Sequence, residues 1–115
     1  MVANTPASRK SKGRSFQKWV RDKLLETFSH LEPDDIRSTS MGASGEDLLL
    51  SPAARKAFPF AVECKAQEKL NVWSAYEQAL SNSGNHFPLL IIKKNRKKPL
   101  VVLDLETFLN IIKDK

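Results

Sequence analysis

The chain has 115 residues, enough for one domain with a modest hydrophobic core. Its 41% hydrophobic content excludes a wholly disordered protein, and its longest aliphatic run, residues 89–92, is too short to cross a bilayer. The net charge of +6 and the pI of 9.6 favour a polyanionic partner, most commonly nucleic acid. We expect no membrane partner.

Cysteine content and the start of the chain bear on the compartment. The single cysteine, Cys64, excludes an intrachain disulfide and argues against a cysteine-based zinc site. The first residues contain no apolar segment of the kind found in secretory signals. We therefore expect a protein of the reducing cytoplasm.

Basic residues gather in two segments, one before the first acidic residue, Asp22, and one over residues 93–98. Each segment is equally consistent with a solvated surface and with a contact to nucleic acid. Residues 1–12 are polar and lack periodicity, which predicts a flexible basic N-terminal arm. Residues 13–115 are predicted to form a single domain.

The first predicted element is a helix over about residues 13–31, ended by Pro33. Its apolar residues recur at three- and four-residue spacing, which predicts one buried stripe. The stripe comprises Phe16, Val20, Leu24, Phe28 and Leu31. A second, basic and polar face comprises Arg14, Gln17, Lys18 and Arg21.

Three short strands are predicted next, over residues 35–40, 46–50 and 60–66. A turn-rich loop separates the first two, and a helical turn over residues 53–58 precedes the third. In the third strand apolar residues alternate with Ala61, Glu63 and Lys65, so these three share the opposite face.

The second half of the chain predicts a helix, two strands and a last helix. Asn71 can cap a helix over about residues 72–83, and Asp104 can cap the last one. Strands are predicted over residues 87–93 and 100–103, joined by the basic turn. The predicted apolar stripes comprise Val72, Tyr76, Ala79 and Leu80 in the first helix and Leu105, Phe108, Leu109 and Ile112 in the last. The order αβββαββα predicts a mixed α/β fold.

One constellation suggests chemistry. Glu63 and Lys65 lie on one face of a strand with Cα atoms roughly 7 Å apart. If the second strand lies beside the third, Asp47 stands next to Glu63. Two carboxylates suit Mg²⁺, which binds few protein ligands and keeps waters and substrate phosphate in its shell. The alternative is a surface ion pair, which a bare D…ExK pattern forms in many proteins.

In these motifs the chain resembles the PD-(D/E)XK nuclease superfamily and, within it, the small Holliday junction resolvases of archaea and their phage relatives. The resemblance covers about residues 12–103. It is carried by Lys12-Gly13-Arg14, Arg37-Ser38, Gly45-Glu46-Asp47, Val62-Glu63-Cys64-Lys65 and the helix bearing Gln78. It implies a restriction-endonuclease-like fold, with a mixed central sheet flanked by helices, in a bacterial, archaeal or phage-infected cell.

The resemblance implies roles for the site residues. Asp47 and Glu63 would hold Mg²⁺, or Mn²⁺ in its place, with the Cys64 carbonyl as a further ligand. Lys65 would position or activate water. Gln17 stands where relatives often carry an acidic residue, and Glu26 lies on a different helix face. Gln78 would be the amide over the site.

The resemblance also implies a DNA substrate, branched like a four-way junction, and a homodimer that makes paired incisions. The residues expected to contact DNA are Lys12, Arg14, Lys18, Arg21, Arg37, Ser38, Ser40, Lys93, Lys94, Arg96, Lys97 and Lys98. For Ser38 and Ser40, turn formation is an equally good interpretation. Such phosphate contacts give affinity and salt sensitivity without sequence readout.

Other residues have structural interpretations. Cys64 is expected to face the core as an inert small hydrophobe. His30 and His86 are expected at the surface. Trp19 and Trp73 could be core residues, whereas an exposed pair would indicate a subunit interface.

Three functions remain open from the sequence. The first is a junction-resolving endonuclease, and the second is a flap, nicking or recombination nuclease of the same superfamily. The third is a DNA-binding module without catalysis, which the neutral Gln17 favours and the intact Asp47, Glu63 and Lys65 oppose.

Overall fold

The computed structural model of the chain describes residues 6–39 and 45–114. Its first helix, α1, spans Pro6–Thr27. The predicted bounds were wrong at both ends, because residues 6–12 carry no apolar periodicity but consist mainly of residues that a helix tolerates, with proline in its first turn. Residues 6–12 are therefore helical, and the remainder of the predicted flexible arm, residues 1–5, lies outside the described residues.

A small antiparallel sheet follows α1. A 3₁₀ helix, Pro33–Asp35, leads into strand β1, Ile36–Ser38, which pairs with β2, Leu48–Leu50. Both strands are shorter than predicted, and residues 40–44, including the predicted contact residue Ser40, lie outside the described residues.

Helix α2, Pro52–Ala57, comes next and corresponds to the predicted helical turn. Ser51 caps it, because the Ser51 hydroxyl accepts a hydrogen bond from the Ala54 N–H at 3.1 Å.

The second half of the chain forms a three-stranded mixed sheet. Strand β3, Phe60–Ala66, lies parallel to β4, Phe87–Lys93, and both have the predicted bounds. Strand β5, Leu100–Val102, pairs antiparallel with β4, which confirms the predicted hairpin. Two helices complete the fold, α3 over Val72–Ser81 and α4 over Leu105–Lys113. The predicted mixed α/β class is confirmed.

The two sheets meet at one residue rather than through paired strands. The Asp47 N–H donates to the Val62 carbonyl at 2.9 Å, and the Thr39 N–H donates to the Asp47 carbonyl at 2.9 Å. The sequence left open whether β2 lies beside β3, and in the structure the ladder of β2 runs with β1. Asp47, immediately before β2, thus joins β1 to β3, and its side chain reaches the edge of β3.

The main core lies between α1 and the two sheets. Every residue of the predicted α1 stripe belongs to it, with Phe16 and Val20 fully inside. Strands supply the rest, chiefly Ile36, Leu48 and Val62. Full burial of such a side chain contributes about 1.5–3 kcal/mol, so this packing fixes the position of α1 over β3.

Helix α3 packs against the other face of the mixed sheet. Ala75 and Ala79 are buried against Leu90, because their small side chains let the helix backbone approach the sheet closely. Leu80, predicted as part of the buried stripe, is 57% exposed, so the helix is rotated relative to the prediction. None of the helices in residues 6–39 and 45–114 is long and apolar enough to cross a bilayer.

Candidate active site

Strand β3 presents an ionisable residue to the interior. Glu63 is only 4% exposed, and the two residues before it, Ala61 and Val62, are buried as well, so this part of β3 is covered on both faces. Its Oε2 lies 3.6 Å from the Lys65 Nζ, which confirms that the two side chains share a face. A carboxylate is rarely buried unless it is paired, so this position is a strong candidate for function.

Asp47 reaches the same place from the adjoining sheet. Its Oδ2 accepts a hydrogen bond from the Cys64 N–H at 2.7 Å, between Glu63 and Lys65 on the strand. The structure therefore brings Asp47, Glu63 and Lys65 together, as the motif predicted. The Cys64 carbonyl stays a predicted ligand.

Burial makes both carboxyl groups harder to ionise. Loss of solvent raises the pKa of Asp47, and hydrogen bonding from Cys64 and the charge of Lys65 act against it. Loss of solvent also raises the pKa of Glu63, and the negative charge of Asp47 raises it further. A bound cation would stabilise the ionised form of both groups, because its positive charge offsets their loss of solvation and their mutual repulsion.

Gln17 is buried next to Asp47. It is 3% exposed on α1, its side chain hydrogen-bonds Asp47, and its Oε1 accepts a hydrogen bond from the Ser38 hydroxyl at 3.2 Å. The structure thus places Gln17 at the site, as the sequence predicted, but as a neutral group. Glu26, on the opposite face of α1, is exposed and pairs with Lys23.

The amide that contacts the site is that of Asn82, the residue that follows α3 as its C-cap. Its Nδ2 donates to the Glu63 Oε1 at 3.4 Å. Gln78, one turn earlier, is exposed and donates no side-chain hydrogen bond to any residue in the described ranges. The resemblance singled out Gln78, because the sequence does not show that α3 ends so close to Glu63.

A salt bridge fixes the backbone just before Asp47. Arg55 of α2 contacts both carboxylate oxygens of Glu46, at 2.8 and 3.2 Å, and also donates to the Phe60 carbonyl at 2.8 Å. The planar guanidinium group matches a carboxylate in two places at once, which gives this pair its geometry. Sequence analysis missed the pair, since its members come together only when α2 lies against the start of β3.

The donor atoms at the site determine which metal ion it can hold. No group of three or more His, Cys, Asp or Glu side chains in residues 6–39 and 45–114 is placed to hold a metal ion. The site offers two carboxylates, which fits Mg²⁺ because this ion takes few protein ligands and keeps several of its waters. The hard oxygen donors therefore fit a divalent cation.

Basic side chains surround the group on two sides. Arg9, Lys10 and Gly13 of α1 line a cleft of about 280 Å³ together with Lys65. Arg9 and Lys10 were not among the residues named from the sequence as expected contacts. A second cleft, of about 370 Å³, is lined by Lys18, Arg21, Asp22, Arg37 and Ser38.

The other residues predicted to contact DNA differ in how exposed their side chains are. Arg21 is held by the carbonyls of Ile36 and Pro33, each at 2.7 Å, so it also ties α1 to β1. Arg14 is exposed on α1 and Lys12 is half-buried. The basic turn between β4 and β5 has its backbone fixed by the Glu68 carboxylate, which accepts from the Asn95 N–H at 2.8 Å. The exposed predicted contacts of this turn are Lys94, Arg96, Lys97 and Lys98, whereas Lys93 is half-buried.

The other expectations concern side chains away from the carboxylates. Cys64 packs against the core, and burial raises the pKa of its thiol. His30 and His86 are exposed. Trp19 and Trp73 are exposed as well, at 48% and 81%, so neither is a core residue.

A family model described as phage putative PDDEXK endonuclease matches residues 8–115 of this chain. The chain belongs to that family. Membership in the PDDEXK endonuclease family supports nuclease activity and a phage source, and nucleases of this kind generally depend on a divalent metal ion. The match covers α1 as well as the Asp47 and Glu63-x-Lys65 motifs. Among curated proteins and among solved structures, none matches the chain.

Proposed function

We propose that this PDDEXK endonuclease is a Mg²⁺-dependent, structure-selective DNA endonuclease of the Holliday junction resolvase kind. The observation that supports it most is the meeting of Asp47, Glu63 and Lys65 at β3, with Glu63 buried and Asp47 held by the Cys64 N–H. The expected reaction is hydrolysis of a DNA phosphodiester bond.

Each residue has a distinct task in this proposal. Asp47 and Glu63 would hold Mg²⁺, or Mn²⁺ as a substitute, with the Cys64 carbonyl as a third oxygen. A bound cation would neutralise the phosphate and lower the pKa of its water. Lys65, 3.6 Å from Glu63, would orient the attacking water or the scissile phosphate. Gln17 and Asn82 would hold the two carboxylates in place through their amides.

The proposed substrate is branched DNA. Basic clefts lie both beside Lys65 and beside Ser38, so a phosphate backbone could be gripped on two sides of the carboxylates. The exposed lysines of the basic turn would contact phosphates further out. The preference for a four-way junction rests on the resemblance to resolvases in motif order and spacing.

Paired incisions across a junction call for two active sites. We therefore include a homodimer in the proposal, with one site in each copy. A phage enzyme that acts on recombining DNA would work in the cytoplasm of the infected cell.

Cleavage of three DNA substrates tests the proposal: a four-way junction, a flap and a linear duplex, each with and without Mg²⁺. We expect Mg²⁺-dependent, symmetric nicks across the junction, and much slower cutting of the other two. Cleavage of flaps or linear DNA alone would replace the resolvase assignment with a flap or nicking nuclease.

One observation favours a second candidate, a DNA-binding module without catalysis. Gln17 contributes no charge at the site, so the protein supplies two carboxylates where an acidic residue could have made three. Tight, salt-sensitive binding to all three substrates, with no cutting at any Mg²⁺ or Mn²⁺ concentration, would establish this candidate and exclude the nuclease.

A further inference from the structure

Helix α4 exposes its apolar face. Every residue of its predicted apolar stripe stands well out of the protein: Leu105 is 70% exposed, Phe108 48%, Leu109 52% and Ile112 49%. Asp104 nevertheless caps the helix firmly, since its carboxylate accepts from the Thr107 N–H at 2.8 Å and from the Tyr76 hydroxyl at 2.7 Å. A well-capped amphipathic helix with an open apolar stripe indicates a surface that another molecule covers.

We propose that a second copy of this chain covers it, and that the two α4 helices pack antiparallel about a two-fold axis near Leu109. This inference deepens the homodimer of the proposed function by naming its surface, and it rests on that function only for the use made of the dimer on DNA.

The apolar surface is large enough for self-association. Beside α4 lies a groove of about 850 Å³, and Trp19, Leu24, Phe60, Val101 and Phe108 contribute to its lining. A fully accessible aromatic side chain presents about 150–250 Å², so a half-exposed one contributes about 100 Å². The α4 stripe together with Trp19 and Val101 then supplies much of the roughly 800 Å² that each partner buries in a standard interface.

Charge complementarity selects a second copy as the occupant. Glu106 and Lys113 are seven residues apart, so they lie on the same flank of the stripe, separated by about 10 Å along the helix. In an antiparallel pair about a two-fold axis, Glu106 of one copy faces Lys113 of the other, and the contact occurs twice. Neither residue forms an ion pair within residues 6–39 and 45–114, so both are available to the partner.

The orientation follows from the same two charges. A parallel pair about a two-fold axis along the helices would place the charged flanks on opposite sides, where Glu106 and Lys113 do not meet. The antiparallel pair brings unlike charges together and keeps the four apolar residues in the centre, so it satisfies both features of α4.

Sedimentation equilibrium of the full chain without DNA tests the surface. We expect a reversible dimer whose dissociation constant rises at least ~10-fold in Leu109→Asp, because the variant buries a charge at the centre of the interface. Leu80→Asp on α3 is the matched control, since Leu80 is a helical leucine of similar exposure. It should leave the dissociation constant unchanged.

A charge exchange tests the orientation. Glu106→Lys and Lys113→Glu should each weaken the dimer several-fold at low ionic strength, because each places like charges together twice. The double variant Glu106→Lys/Lys113→Glu should restore wild-type affinity. All three changes are at exposed positions, and circular dichroism would verify that the fold is retained.

The outcomes separate this inference from the nuclease proposal. A monomer at every concentration from micromolar to millimolar would overturn the inference, as would a dimer indifferent to Leu109→Asp. Dissociation by Leu109→Asp without any effect of the charge variants would overturn the antiparallel geometry. A dimer that cuts no DNA would leave this inference intact and refute only the nuclease proposal, whereas a monomer that cuts DNA would do the reverse.

Discussion

Strand β3 and helix α4 both depart from the usual distribution of side chains, in which charged groups are exposed and large apolar groups are buried. Strand β3 buries a carboxylate, Glu63, whereas α4 exposes four large apolar side chains. Each arrangement costs free energy in an isolated chain, since a buried charge loses solvation and an exposed apolar face orders water. In our proposals both elements are completed by something outside the chain: a cation at β3 and a second copy at α4.

The hydrogen bonds of the two regions reinforce the contrast. Glu63 and Asp47 are contacted by side chains or backbone groups from α1, α3 and β3, so their positions are fixed before any ligand binds. Helix α4 is fixed mainly at its first turn, through Asp104 and Tyr76. Catalysis requires side chains that are held in position before the substrate binds, whereas an association surface requires only an exposed apolar face.

The largest expected effect is on cleavage. Glu63→Gln keeps the shape of the side chain but removes its charge, so we expect cleavage to fall by ~10³-fold or more while the fold and most DNA binding are retained. The measurement is single-turnover cleavage of the preferred DNA substrate. Glu77→Gln, an exposed glutamate on α3, is the control and should cut at the wild-type rate. Undiminished cleavage by Glu63→Gln would remove the site assignment.

Gln17→Glu adds a third carboxylate beside Asp47 and so tests whether this group faces a cation. Without metal we expect it to lower the free energy of unfolding by about 1–3 kcal/mol at neutral pH, because like charges then share a buried site. Saturating Mg²⁺ should recover most of this loss. The measurement is urea unfolding with and without Mg²⁺, and a loss of equal size in both conditions would show that Gln17 does not face a cation.

Two amides of α3 give a smaller effect. Asn82→Ala removes the donor to the Glu63 Oε1, so we expect cleavage to fall roughly 10-fold, the size of one lost hydrogen bond to a charged group. Gln78→Ala, at the exposed position one turn earlier, should have the lesser effect. The measurement is the cleavage rate of each variant under the same conditions. A slower rate for Gln78→Ala than for Asn82→Ala would identify Gln78 as the amide of the site.

The smallest effect concerns the cap of α4. Hydrogen bonding from the Tyr76 hydroxyl, and then from Thr107, holds the pKa of Asp104 below its ordinary value of 3.8. At pH values above 3.8, the free energy of unfolding of the wild type should therefore exceed that of Asp104→Asn. The difference should be about 1 kcal/mol at most, because the carboxylate is exposed.

The sign of this pH dependence follows from the lowered pKa. The advantage of the wild type should disappear as the pH falls through the folded-state pKa of Asp104. Denaturant unfolding between neutral pH and about pH 2 measures it, with Asp34→Asn as an exposed control. An advantage that is undiminished at the lowest pH would show that the charge of Asp104 plays no part.

Local patterns in the sequence predicted some elements closely. Alternation fixed β3, a continuous apolar run fixed β4, and Asn71 and Asp104 marked two helix starts. The D…ExK spacing brought together Asp47, Glu63 and Lys65. These features depend on residues near one another in sequence, or on one strand edge, so periodicity and capping determine them.

Other features depended on packing that no local pattern contains. Ala75 and Ala79 set the rotation of α3, which left Leu80 exposed and Asn82 beside Glu63. The early start of α1 lacked an apolar signal, and β2 paired with β1 while Asp47, just before β2, hydrogen-bonds β3. The open stripe of α4 looked like an ordinary core stripe, since periodicity shows that a face is apolar but not what covers it.

The central claim is that Asp47 and Glu63 together hold a divalent cation. Titration calorimetry of Mn²⁺ into the wild type, Asp47→Asn and Glu77→Gln tests it most directly, since binding is measured without cleavage. We predict that the wild type and Glu77→Gln bind alike, and that Asp47→Asn binds ~10-fold or more weakly. Equal binding by all three proteins would contradict the claim.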